Sequence, residues 1–185
     1  YNHPLNNTTT VLFELPFGRD RRWGGQWSRG MDLLAGGWRL TAVNTVTSGL
    51  PFNLTYTPSA AGSVSGAPTY RPNVTGDIYA PEGQQTVNNY LNAANVTIPA
   101  ISTPFGNAPR NIGRGPAIAT LDLGLHKRFA VTGRSGLEVR IESFNTLNRS
   151  NFNAPNSNRS ATNFGTITML ATQARQIQLG LKFDF

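Results

Sequence analysis

The chain has 185 residues, of which 38% are hydrophobic and 14% charged, with a formal charge of +7 and no cysteine. The missing thiols exclude a disulfide framework and a thiolate metal site. No segment approaches the roughly 18 consecutive apolar residues of a membrane helix, and the basic residues are too scattered for a nucleic-acid interface.

Asn, Thr, Ser, Gly and Pro fill the composition, which favours strands and turns over helices. A mean hydropathy of −0.29 reads as soluble, but such averages are blind to barrels, whose strands are only half apolar. The chain opens on Tyr1 without a signal-peptide pattern, so a processed or C-terminal portion of a larger protein is expected.

Five strands are predicted from alternation of period two. The first, Thr8–Leu15, sets Val11, Phe13 and Leu15 against Thr10 and Glu14, with Leu12 out of pattern. The second, Trp38–Thr47, sets Trp38, Leu40, Ala42 and Val46 against Arg39, Thr41, Thr45 and Thr47. The third, Ile118–Phe129, carries Leu121, Leu123, Leu125 and Phe129 opposite Thr120, Asp122, Gly124 and His126. The fourth, Leu137–Asn145, carries Leu137, Val139 and Ile141 opposite Glu138, Arg140 and Glu142. The fifth is the clearest. From Ile177 every odd position to Phe185 is apolar, and Gln176, Gln178, Gly180, Lys182 and Asp184 lie between them. A terminal aromatic on an apolar face suits a strand that ends at a lipid interface.

The connections run medium, long, short, long. Pro16–Gly37 holds a short helix at Ser28–Leu34. Ser48–Ala117 is an irregular loop of about seventy residues, which a compact soluble domain rarely carries. Ala130–Gly136 is tight, with Thr132-Gly133 and Ser135-Gly136 as turn chemistry. Thr146–Thr172 is long again. Short turns on one side and long loops on the other are the habit of outer-membrane barrels, and they put the end of the last strand on the periplasmic side. The fold expected is all-β: an antiparallel transmembrane β-barrel segment of about five long strands, with residues 48–117 and 146–172 as extracellular loops. Closure takes about eight strands, so this chain is expected to form part of a larger barrel.

Three segments carry a resemblance. The first is Gly37-Trp38-Arg39-Leu40 with Ser48-Gly49-Leu50-Pro51-Phe52. The second is Pro104-Phe105-Gly106-Asn107-Ala108-Pro109-Arg110-Asn111 with Arg114-Gly115-Pro116. The third is Glu142-Ser143-Phe144-Asn145-Thr146-Leu147-Asn148, then Asn151-Phe152, Phe164-Gly165 and the terminal strand. Together they resemble the Oar-like TonB-dependent outer-membrane transporters of bacteria, across essentially the whole chain. The resemblance implies an outer-membrane location, a barrel of about twenty-two strands, and a luminal plug that this chain does not contain. It also implies contact with outer-membrane lipid, the remaining barrel strands and plug, and an unidentified transported ligand. Gln178, Gly180, Phe183 and Phe185 look like the signal read by the barrel-assembly machinery.

Chemistry-bearing residues are few. His126 shares a face with Asp122, which reads as a hydrogen-bonded structural pair on a lumen wall. Asp122, His126, Glu138, Arg140 and Glu142 are read as lumen-facing, and Asp122, Glu138, Arg140 and Glu142 as a cross-strand ion-pair ladder rather than an acid–base site. Gly62-Ser63-Val64-Ser65-Gly66 puts Val where a nucleophile elbow needs Ser, and Gly113-Arg114-Gly115-Pro116 lacks the Lys and hydroxyl of a phosphate loop. No catalytic residue, cofactor or metal is expected. Tyr56, Tyr70, Arg71, Tyr79 and Tyr90 mark the long loop as the place for ligand contact, with a short helix over Gln84–Ala94. A different reading is a non-enzymatic β-sheet module that binds glycan or serves surface assembly or adhesion.

Overall fold

A computed structural model describes residues 4–67, 69–131 and 135–185. His3 and the expected Thr132-Gly133 turn lie outside these residues. The elements in chain order are β1 (Asn6–Glu14), α1 (Arg29–Ala35), β2 (Trp38–Thr47), β3 (Pro51–Phe52), β4 (Asn73–Val74), β5 (Val96–Thr97), β6 (Gly113–Arg114), β7 (Ile118–Ala130), β8 (Gly136–Phe144) and β9 (Gln176–Asp184). The five long strands form one sheet in the order β1-β2-β7-β8-β9. The alternation therefore located each of them to within two residues.

Two compact units make up the chain. The sheet unit comprises Asn6–Val46, Ala119–Ser150 and Gln173–Phe185. Antiparallel pairing sets Leu137 between Phe129 and Phe183, Val139 between Lys127 and Leu181, and Ile141 between Leu125 and Leu179. One face is thus a mainly apolar row across three strands, interrupted by Lys127 and, between Leu123 and Ile177, by Ser143. The other face sets Glu138 between Arg128 and Lys182, and Arg140 between His126 and Gly180. Sheets normally bury an apolar face, yet Ile177, Leu179, Leu181 and Phe183 are all exposed, Leu181 at 76%. The sheet is not closed: β1 and β9 are its edges.

The strand end after Phe144 is locked by Asn145, which adopts a positive φ of 48°. Its amide donates to the carbonyls of Arg149 (3.0 Å) and Gln173 (2.9 Å), and its Oδ1 accepts from the Arg149 N–H. Asn tolerates this conformation because its side chain satisfies the backbone locally.

The loop unit comprises Thr47–Ile118 and Asn151–Thr172, with Pro4 and Leu5. It holds a small core of Leu54, Ile78, Leu91 and Val96, with Phe52, Val74, Tyr79, Tyr90, Ile112 and Phe164 packed on it. So the long connection expected to be irregular folds on a core of its own, shared with the second connection. The two are tied by backbone bonds from Thr55 to Ser157 (3.0 Å), Tyr90 to Gly165 (2.8 Å) and Ile167 to Val87 (2.7 Å). Among the described residues, regular pairing in this unit is limited to the two-residue ladders β3–β6 and β4–β5 and to isolated bridges such as Tyr79 with Leu91. Side chains supply the rest: Asn107 bonds both the N–H and the carbonyl of Val74, and Asn53 accepts from the Asn111 N–H at 2.7 Å. This use of short amides explains the asparagine-rich composition.

Two helix expectations had different outcomes. The short helix expected over Ser28–Leu34 forms as Arg29–Ala35, and Ser28 is its cap, accepting from the Met31 N–H. The helix over Gln84–Ala94 does not form; that stretch makes turns and isolated bridges, and only Ala93–Asn95 coils into a 3-10 turn. Its backbone instead pairs across the loop, with the Ala80 N–H bonding the Tyr90 carbonyl and the Asn92 N–H bonding the Ile78 carbonyl. Tertiary partners overrode a weak local preference.

Candidate functional site

Two places gather polar chemistry, one in each unit. In the sheet unit, the polar face carries a network of charges. Glu138 accepts from Arg140 at 2.9 Å and lies 3.9 Å from His126 Nδ1. Asp184 lies 2.9 Å from Lys182 and 3.7 Å from Arg128. Glu14 accepts from Arg21 at 2.7 Å and lies 3.4 Å from Arg39. Glycines make room for this network. A Cβ on Gly124 would sit 2.6 Å from His126 Nε2, and one on Gly136 would sit 2.8 Å from Arg128 Nε. The glycines in the alternating pattern are therefore spacers that let long side chains cross the face.

The expected Asp122–His126 pair is corrected. Residues four apart on a strand are separated by about 13 Å, beyond side-chain reach. Asp122 instead accepts the Asn145 N–H at 2.8 Å and so anchors the end of β8, while His126 turns to Glu138. The residues read as lumen-facing share this face: Asp122, His126, Glu138, Arg140 and Glu142 alternate with the apolar row.

In the loop unit, Pro51, Asn53, Thr69, Arg71, Phe105, Gly106, Ala108, Arg110 and Asn111 line a cleft of about 640 Å³. Gly106 is obligatory there, because a Cβ would collide with the Pro72 carbonyl. Phe105 is largely exposed and stacks on Tyr70, with centroids 5.7 Å apart and planes within 1°.

The five loop residues singled out by sequence part company. Arg71 lines the cleft, and Tyr70 backs its Phe105 wall. Tyr56 is buried, donates to the Pro104 carbonyl and meets Tyr70 edge to face. Tyr79 and Tyr90 meet edge to face at 5.8 Å, and both hydroxyls reach the Arg114 carbonyl. Tyr79 also accepts the Arg114 N–H at 2.6 Å. Burial raises the Tyr90 hydroxyl above its ordinary pKa, and Tyr79 pushes the same way. These two tyrosines are pinned to the loop backbone.

Sequence reasoning missed Arg110 and Phe105 as cleft residues, although both lie in the second resembling segment. It also missed Lys127, the one charge in the apolar row. Lys127 is only 5% exposed and bonds the carbonyls of Asp32 (3.1 Å) and Gly36 at the end of α1. The interruption of the leucine row was the signal that could have found it.

An exposed apolar row opposite a charged wall suits a sheet with lipid on one side and water on the other. The model of the outer membrane beta barrel domain matches residues 1–178. The chain belongs to that family. Its sheet is accordingly barrel wall in the bacterial outer membrane, with the apolar row against lipid. Comparison with curated proteins and with solved structures found no match.

Proposed function

We propose that this outer-membrane barrel domain is the wall and capture loop of a TonB-dependent-like receptor that transports a large nutrient or chelate. The observation carrying the reading is the loop unit, which has its own core and an open cleft bordered by two arginines and an exposed aromatic ring. In this reading Arg71 and Arg110 attract an anionic chelate or polymer, and Phe105 offers an apolar platform. The ion-paired face keeps the lumen wet, and the role is non-enzymatic. The edges β1 and β9 present unpaired backbone groups that lipid cannot satisfy. Further barrel strands pair with them, the barrel-assembly machinery reads Gln178, Gly180, Phe183 and Phe185, and a plug couples energy.

A second reading is a surface module that binds glycan without moving it. It is favoured by the same self-contained core, since binding then needs no motion of the wall. Cells displaying the full-length protein distinguish the two. They are incubated with a panel of ferric chelates and acidic oligosaccharides, with and without a protonophore. Transport predicts protonophore-sensitive accumulation that Arg71→Ala with Arg110→Ala abolishes. Surface binding of panel members without any sensitive accumulation overturns transport and supports the module.

A further inference from the structure

We infer that the connection between β1 and β2 is an interfacial membrane anchor, seated in the phospholipid leaflet at the turn end of the sheet. The inference rests on the family assignment for the lipid-facing row, and on the transporter-like orientation only for calling that leaflet periplasmic.

The position of α1 is the starting point. Lys127 sits in register with Val139 and Leu181, on the lipid-facing row. Its ammonium nevertheless reaches the last carbonyls of α1. Trp38, whose ring lies 5.7 Å from that ammonium, donates its indole N–H to the Leu34 carbonyl at 2.8 Å. Two side chains of neighbouring strands thus hold the helix end against the outward face of the sheet.

α1 buries none of its own residues. Met31, Leu33 and Leu34 are exposed, Leu34 at 72%. Water gives no reason for three large apolar side chains on a seven-residue helix. A bilayer does, because the helix continues the apolar surface formed by Phe129, Leu137 and Phe183 at the same sheet end. The chain's three tryptophans, Trp23, Trp27 and Trp38, all fall in this segment or at its junction with β2. Trp23 and Trp27 flank Phe17 at 5.4 and 6.5 Å. Tryptophan concentrates where hydrocarbon meets headgroups. Arg19, Arg22 and Arg29 are exposed beside them, suited to lipid phosphates. Apolar residues toward acyl chains, indoles at the boundary and arginines toward phosphate make a monotopic anchor rather than a solvent turn.

Nitroxide accessibility tests this, and the absence of cysteine in this chain leaves each label unique within it. Leu34→Cys, Leu181→Cys and Ser65→Cys are each spin-labelled in the full-length protein. The protein is then reconstituted in equimolar phosphatidylcholine and phosphatidylglycerol vesicles. The Leu34 label is expected to favour collision with oxygen over a nickel chelate, as Leu181 does and Ser65 does not. A nickel preference at Leu34 with oxygen preference kept at Leu181 overturns the anchor alone. A nickel preference at both overturns the lipid-facing assignment as well. Omitting phosphatidylglycerol is expected to weaken the Leu34 preference; an unchanged value overturns the part given to the arginines.

Discussion

The Lys127 ammonium lies over two rings, 5.7 Å from the centre of Trp38 and 5.0 Å from that of Phe129. All three residues sit where α1 meets the sheet. A lysine in a lipid-facing row is expensive unless something covers it. Here the cover is the end of α1, whose last turn carries no basic residue of its own, so Lys127 supplies the cation from a neighbouring element. Lys127→Met keeps the stem but leaves those carbonyls without the donor. A loss of about 1–3 kcal/mol is expected, read as a lower urea midpoint by tryptophan emission in vesicles. An unchanged midpoint would mean that lipid or water replaces the lysine freely.

The two faces of β9 respond oppositely to charge. Leu179→Arg puts a cation on the lipid row and is expected to cost about 2–4 kcal/mol if its depth is near the bilayer centre. Gln178→Arg, one residue away on the wet face beside Glu142, is expected to stay within about 0.5 kcal/mol. Folding equilibria in vesicles check the pair. Equal costs would refute the assignment of faces.

Alkaline pH loosens the loop unit through Tyr90. Its folded pKa is raised above 10.0 by burial and by Tyr79. The stabilising contribution is therefore complete below the unfolded value and is lost as pH rises through the folded one. Tyr90→Phe removes the bond to Arg114, lowers stability at neutral pH by about 1 kcal/mol, and flattens the decline above pH 10. Limited proteolysis of the loop across that range is the measurement. A decline of the same steepness in the variant assigns it to another group.

Phe185 is fully exposed and stacks on Phe183 at 6.2 Å. Its proposed place in the assembly signal separates a need for it in cells from any need in the folded sheet. Deleting it is expected to reduce the heat-modifiable, membrane-inserted fraction in cells while leaving refolding into vesicles nearly unchanged. Loss in both settings would make Phe185 a structural residue instead.

The long strands were legible because period two is a local property, and a lipid-facing side opposite a wet one amplifies it. Trp38–Thr47 was read to the residue, and β9 to within one at each end. The ligand residues were less legible. Five loop side chains were chosen by type, but Tyr79 and Tyr90 spend their hydroxyls on the Arg114 backbone. Arg110 and Phe105 line the cleft where Gly106 lets the chain pass close against the Pro72 backbone. No spacing rule encodes such a close approach.

By itself the sequence determined the all-β class, five strands, the two-faced sheet and the outer-membrane setting, because alternation, loop lengths and composition are written residue by residue. Tertiary structure alone decided which partners meet. It gave Asp122 to Asn145 rather than His126, since strand geometry holds the latter two out of reach. It joined the two long connections around Leu54, Ile78, Leu91 and Val96, contacts made between residues far apart in the chain. It turned Lys127 from a flaw in an apolar row into the clasp of α1, because a helix can cover a charge only once the chain has brought it back across the sheet.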